Sequence, residues 1–265
     1  MSTIIYYYSA TGNSLAIARK IADGLADATV VPLAGPRKGG TMGEAERVGI
    51  VFPIFAWGPP RTVEEFVAHA DLSAARYIFA VASCGGTVAR TLPKLGQTLK
   101  ARGLSLDAGF AVRSESYAAS SDDGGGNGMI KLVRSLSGGV APAENVRLPE
   151  IVEAIKAGRR LKPERSALAG ALLGSFFHSM AAAQFPKLDA GYSVAESCDG
   201  CGICQRVCPR GNVVVEDGSP RWHHDCDFCG ACVVWCPRSA IVTKSGIAPA
   251  GKHHAEVKLA DMLLR

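Results

Sequence analysis

Cys198-Asp199-Gly200-Cys201-Gly202-Ile203-Cys204-Gln205-Arg206-Val207-Cys208-Pro209 and Cys226-Asp227-Phe228-Cys229-Gly230-Ala231-Cys232-Val233-Val234-Trp235-Cys236-Pro237 are two copies of one spacing, and they hold eight of the nine cysteines. Each copy reads Cys-x2-Cys-x2-Cys-x3-Cys-Pro, the run that wraps a 4Fe–4S cluster. Three thiolates two residues apart on a tightly wound loop converge on three irons of one cubane, while the fourth points away. In paired runs of this kind the fourth ligand serves the other cluster. The expected ligand sets are therefore Cys198, Cys201, Cys204 and Cys236 for one cluster, and Cys226, Cys229, Cys232 and Cys208 for the second. The two halves are cross-tied, so neither is expected to fold well alone. Gly200, Gly202 and Gly230 suit a backbone that passes close to sulfide, and Pro209 and Pro237 fix the chain as it leaves each loop.

Paired Cys-x2-Cys elements also hold zinc, but zinc takes four ligands per site, usually as two close pairs. A third evenly spaced cysteine and a trailing Cys-Pro do not suit that pattern. A disulfide scaffold fits no better. The N-terminal stretch Met1 to Ser9 carries no positively charged leader and reads as a strand, so the expected location is a reducing cytoplasm.

The cysteines confine a small unit to the C-terminal part of a 265-residue chain, and everything before it needs a core of its own. The formal charge of +5 omits cofactors. Two clusters with their thiolates each bring about −2, which leaves the whole at about +1 before any other anionic cofactor. Nucleic acid is therefore not an expected partner. Between Asp189 and Val242 seven acids stand against four Arg or Lys. That acidic segment and the basic remainder favour docking on each other, and the cluster end favours a basic partner surface.

Residues 1–158 read as alternating strand and helix. Ile4–Tyr8, Ala28–Val31, Val48–Phe52, Tyr77–Ala82 and Leu106–Val112 are apolar, β-rich runs. Ser14–Ala26, Thr62–Ala70, Val88–Arg102 with an interruption at Pro93, and Glu150–Arg160 read as helices. Five short apolar runs separated by helices predict a doubly wound parallel sheet. Ligands of such sheets sit beyond the carboxyl ends of the strands. The loop after the first strand, Ser9-Ala10-Thr11-Gly12-Asn13-Ser14, opens directly into a helix. Its hydroxyls, the close approach permitted at Gly12 and the amides of the first helical turn make a phosphate cradle. It has neither the GxGxxG of a dinucleotide site nor the Gly-Lys-Ser/Thr of a P-loop.

In this loop the sequence resembles the flavodoxin family, whose Thr/Ser-x-Thr-Gly-x-Thr/Ser pattern holds the phosphate of FMN. Together with the cysteine runs, the whole chain resembles the flavodoxin–ferredoxin fusions of the EFR1-type ferrodoxin family. Val51-Phe52-Pro53-Ile54-Phe55-Ala56-Trp57-Gly58-Pro59-Pro60, Ser83-Cys84-Gly85-Gly86-Thr87 and Ser219-Pro220-Arg221-Trp222 carry the rest of the likeness. The resemblance implies a flavodoxin-like five-stranded parallel sheet of order 2-1-3-4-5 over 1–160, a connector helix over 161–190, an α+β ferredoxin domain with two 4Fe–4S clusters over 191–246, and a tail helix over 247–265. It implies FMN held by Ser9, Thr11, Gly12, Asn13 and Ser14, by Pro53, Phe55, Ala56, Trp57 and Gly58, and by Cys84, Gly85, Gly86 and Thr87. Trp57 would stack on the isoalloxazine. Many flavodoxins place a Tyr on the loop after the fourth strand; this chain has none there, and Tyr117 on the next loop is the candidate to replace it. Cys84 is either a thiol contact to the ring or a small loop residue.

Ser114–Gly128 reads as a loop, either a lid over the flavin or only a surface loop, and the paired histidines 223–224 and 253–254 as surface residues. The apolar stretch Ser166–Ala183 is Ala- and Gly-rich and interrupted by Ser175, His178 and Ser179, so a soluble helix between the domains is expected rather than a membrane span. Gly170 and Gly174 would let it approach the sheet or a second copy in a homodimer. Ala255–Leu264 is expected to dock back on the first domain as a short helix. The implied function is intracellular electron transfer between the clusters, FMN and a redox partner protein, such as a ferredoxin or an electron-accepting enzyme. The alternative is a flavin-dependent reductase of a small molecule such as a quinone.

Overall fold

The N-terminal strands are near-continuous apolar runs, and outside the edge strand at Ala28–Pro32 side chains on both faces are buried, as a sheet covered on two faces requires. In the computed structural model, which describes residues 2–33, 45–114, 128–243 and 252–264 (Met129 and Ile130 in backbone only), the strands are β1 (Thr3–Tyr7), β2 (Ala28–Pro32), β3 (Arg47–Pro53), β4 (Tyr77–Cys84) and β5 (Ala108–Arg113). They form one parallel sheet of order β2-β1-β3-β4-β5. This is the doubly wound flavodoxin-like order. Ile5, Tyr7, Phe79 and Val81 point to one face, and Tyr6, Tyr8, Ile78 and Ala80 to the other.

Helix α1 (Asn13–Leu25) covers the first face, and α2 (Arg61–His69) and α3 (Thr91–Ala101) cover the second. Pro93 does not interrupt α3. The helix starts only at Thr91, which puts the proline in the first turn, where a missing amide costs no hydrogen bond. After β5 come α4 (Gly128–Leu136) and α5 (Glu144–Lys156), which packs beside α1 on the first face. α6 (Leu168–Gln184) then runs into a 3-10 turn at Phe185–Gly191.

The C-terminal unit repeats a small pattern. β6 (Tyr192–Val194) pairs with the distant β9 (Ile241–Thr243), and between them lie α7 (Ile203–Arg206), the hairpin of β7 (Val213–Glu216) and β8 (Ser219–Trp222), and α8 (Ala231–Val234). Both one-turn helices start from a left-handed glycine, Gly202 and Gly230, at the same place in each cysteine run. The tail returns as a single turn, α9 (Leu259–Met262), pinned to α1 by Arg19 and Asp261 at 2.7 Å. Val207, Ala231, Val234 and Trp235 share one continuous core with α1, and Val257 and Met262 of the tail join it. The cysteine unit therefore sits on the same side of the sheet as the loop after β1.

Candidate functional site

The cysteines line two separate cavities, four to each. Cys198, Cys201, Cys204 and Cys236 surround one, together with apolar groups such as Ile203 and Ile241. Cys208, Cys226, Cys229 and Cys232 surround the other, with Tyr192, Val213 and Trp222. Each run thus lends its fourth cysteine to its neighbour's cavity. The short helices that open at Gly202 and Gly230 turn the middle cysteines inward. Backbone amides add donors to sulfur: Asn212 to Cys208 and Ala240 to Cys236, both at 3.3 Å, and Phe228 to Cys226 at 3.1 Å. Burial pushes the Cys204 thiol up to about 11 and the Cys229 thiol up to about 12. Buried as free thiols, Cys204 and Cys229 stay protonated at neutral pH, and as thiolates they need the positive charge of iron beside them. Two sets of four sulfur donors, apolar walls and amide donors suit 4Fe–4S cubanes. Among the described residues, no three His, Cys, Asp or Glu side chains converge on a single-ion site.

The cavities differ in exposure. Cys201 of the first set is exposed, and Asp199 beside it pairs with Arg238 at 2.8 Å. The second set lies against the sheet. Cys229 packs against both faces of the sheet core, beside the hydroxyl of the fully buried Tyr8. The rings of Tyr8 and Phe55 meet edge-on at 6.0 Å.

Polar contacts seal this joint. Asp227 Oδ2 accepts from Thr62 Oγ1 at 2.5 Å and from the Thr62 amide at 3.3 Å, which caps the start of α2 from the cysteine unit. Arg61 donates to Asp225 at 2.5 Å, and Arg210 bridges Asp225 at 2.7 Å to Glu65. Asn212 joins Asp189, whose other oxygen bonds His224 at 2.6 Å.

The loop after β1 is already partly engaged. Ser9 Oγ accepts from the Gly12 amide at 3.2 Å, and Ser14 Oγ shares a hydrogen with Ser83 Oγ at 3.0 Å. Trp235 Nε1 donates to the Ala10 carbonyl at 2.7 Å, and the His254 amide donates to the Thr11 carbonyl at 2.8 Å. Gly12 has φ 96°, and a Cβ there would come within 2.9 Å of Val257. The first turn of α1 has no side-chain cap and no acid, so its amide dipoles suit a phosphate. Asn13 and Ser14 are buried at this helix start.

The loop after β3 folds as a tight turn, with Ala56 and Trp57 both at positive φ and Phe55 and Gly58 exchanging backbone bonds. Trp57 is not a free lid. Its Nε1 donates to Thr87 Oγ1 at 3.1 Å, and its ring lies 6.0 Å from Phe177 of α6. His178, also on α6, bonds the Phe55 carbonyl at 3.2 Å. The loops after β3 and β4 are thereby joined, Pro53 on one side and Gly85, Gly86 and Thr87 on the other. Cys84 ends β4, buried, and burial pushes its thiol up to about 11. Tyr117 and nearly all of the loop proposed as a lid lie outside the described residues.

Sequence reading missed His253 and His254. His253 stacks on Trp235 at 4.1 Å, and His254 packs on Gly12; a histidine pair in a polar tail carries no local signal for either contact.

Residues 197–241 match the family described as 4Fe-4S dicluster domain. Solved structures similar to the chain include a flavodoxin from the domain Archaea, 18% identical over 43% of this chain and 85% of that one, with a TM-score of 0.37. A flavoprotein in complex with FMN from Lactobacillus acidophilus is 14% identical over 42% and 92%, at 0.33. Rubredoxin oxygen:oxidoreductase from Desulfovibrio gigas is 15% identical over 59% and 36%, at 0.38. No curated protein matches the chain. The topology rests on the strand order itself, and the chain joins a sheet of flavodoxin order to a 4Fe–4S dicluster domain.

Proposed function

We propose that this chain is an iron–sulfur flavoprotein for electron transfer, of the EFR1-type ferrodoxin kind that its sequence resembles. It holds one 4Fe–4S cluster in each cysteine-lined cavity and FMN on the loops at the carboxyl edge of the sheet. The observation that carries this reading is the four-and-four division of the cysteines, with Cys229 of the second set beside Tyr8 at the end of the first strand. When bound, the clusters exchange single electrons and FMN links one- to two-electron chemistry.

The protein's own part is placement. The Cys198 set faces outward through the exposed Cys201, on the acidic unit, and suits a redox partner protein with a basic surface. The Cys226 set is shielded from water by Tyr8, Tyr192 and Trp222 and held to the sheet by Asp227 and Arg210. FMN would lie with its phosphate at the first turn of α1 and its ring beside the loops of Trp57 and Thr87.

Anaerobically purified protein should contain about eight irons and about one FMN per chain. Mixing with a reduced redox protein that carries a basic surface patch should bleach the flavin at a rate that falls as salt rises, because opposite surface charges steer the encounter. Tightly bound zinc without brown absorbance would overturn the assignment.

A further inference from the structure

From Leu168 to Gln184 the helix α6 has no Asp, Glu, Lys or Arg, and its two sides differ. The inward side is committed. A Cβ on Gly170 would come within 2.5 Å of Ser137, just past α4, and one on Gly174 within 2.9 Å of Ala89 and 3.2 Å of Trp57, and His178 bonds the Phe55 carbonyl. The outward side presents Leu168, Leu172, Phe176 and Met180, at every fourth position, with 60%, 50%, 60% and 57% of their surface exposed. Residues four apart form one continuous ridge. Leu132 and Leu136 of the adjoining α4 are exposed as well. Single exposed apolar residues are ordinary, but an unbroken ridge of large ones marks an interaction surface.

Charge selects the occupant. Lys131 and Arg134 on α4, Arg165 just before α6 and Lys187 just after it are all exposed, and none is ion-paired within the described residues. No Asp or Glu occurs between Gly128 and Val140, nor between Arg165 and Leu188. A second copy meeting this face through a twofold axis would bring cations toward cations. A bilayer surface with anionic headgroups complements both features, since it takes the ridge at the acyl boundary and the cations among the phosphates. By length and composition the segment Leu168–Gly191 is also apolar enough to cross a membrane. Crossing would strip away every inward contact, whereas lying flat keeps them all. We propose that the α4–α6 face docks this protein, in the plane of the surface, on an anionic lipid membrane.

The inference is independent of the electron-transfer reading. It is tested by anaerobic co-sedimentation of the holoprotein with phosphatidylcholine vesicles, with and without phosphatidylserine. The expected result is binding to the anionic vesicles about tenfold or more tighter than to the neutral ones, weakened by salt. Lys131→Gln with Arg134→Gln should weaken it by a further tenfold or so. Leu172→Glu with Phe176→Glu should abolish it while leaving iron and flavin content unchanged, because both side chains point outward. Wild-type protein that stays in the supernatant with both vesicles overturns the proposal. So does a dimer in size-exclusion chromatography that the Leu172→Glu, Phe176→Glu variant splits, which would give the face to a second copy.

Discussion

Asp227 follows the first cysteine of the second run and lies at the joint between the two units with 2% of its surface exposed. Its carboxylate caps α2 through Thr62, and Arg61 and Arg210 supply the facing charge. Burial pushes the carboxyl up, against the Thr62 bond and the two arginines, which pull it down. Asp227→Leu would leave the helix start uncapped and Arg61 facing an apolar group, so a loss of about 2–4 kcal/mol in unfolding free energy is expected. Asp227→Asn keeps an oxygen for Thr62 and should lose about 1 kcal/mol. Denaturant midpoints of anaerobic holoprotein separate the two, and equal losses would mean that the charge is irrelevant. Cys208 makes the same kind of demand on the cross-tie. Its sulfur lines the cavity of Cys226, Cys229 and Cys232, not that of its own run. Cys208→Ala should therefore damage that set's cluster and leave the Cys198 set closer to intact, as read by Mössbauer and electron paramagnetic resonance spectra. Selective loss from the Cys198 set would reverse the pairing. The cysteine division is readable from spacing alone because cubane geometry dictates it. Asp227's cap is not readable, because its partner lies 165 residues away and neither residue is unusual locally.

At the scale of elements, the loop after β3 is braced rather than open. Trp57 ties it to Thr87, accepts a bond from Thr91 Oγ1 at its carbonyl, and rests on Phe177 of α6. Trp57→Ala should therefore destabilise the flavin-free protein by about 2–3 kcal/mol, below the range for a fully buried Trp because the ring is half-buried. If the ring also contacts FMN, affinity should fall about five- to a hundredfold. The two measurements, thermal unfolding without flavin and fluorescence titration with it, report separate roles. Unchanged apo stability would remove the brace, and unchanged affinity would remove the stacking contact. The strands and their order are legible in the sequence because a sheet buried on both faces leaves runs such as Tyr77–Cys84, where every residue is buried. Helices were harder where the pattern is broken. α5 starts at Glu144, ahead of the expected Glu150, with Pro149 inside it. α4 follows a Gly-rich run that hid its start. α6 is apolar on both sides, so its composition could not tell which side packs.

Across the whole molecule, the cysteine unit and the loop after β1 support each other. Trp235, next to Cys236, holds the Ala10 carbonyl through its indole N–H and stacks on His253 of the tail. The next tail residue, His254, holds Thr11, and Val257 closes over Gly12. The outer wall of the phosphate cradle is therefore built from residues whose position depends on the folded cysteine unit. Among the described residues that unit has little regular structure beyond two hairpin-sized sheets and two single-turn helices, so most of its order should come with iron. If the chain holds iron and FMN as proposed, linkage requires that each helps the other bind, by a coupling in the usual range of about 1–3 kcal/mol. Removing iron anaerobically with a chelator should weaken FMN about five- to a hundredfold. Trp235→Phe should reproduce part of this with iron intact. It keeps an aromatic ring on His253 but leaves the buried Ala10 carbonyl without its donor, at a cost of about 1–3 kcal/mol. Flavin-fluorescence titrations of the holoprotein, the iron-depleted protein and the variant decide the matter. If all three curves superimpose while the holoprotein does bind FMN, the two units are only neighbours, and the contacts at Ala10 and Thr11 carry no coupling.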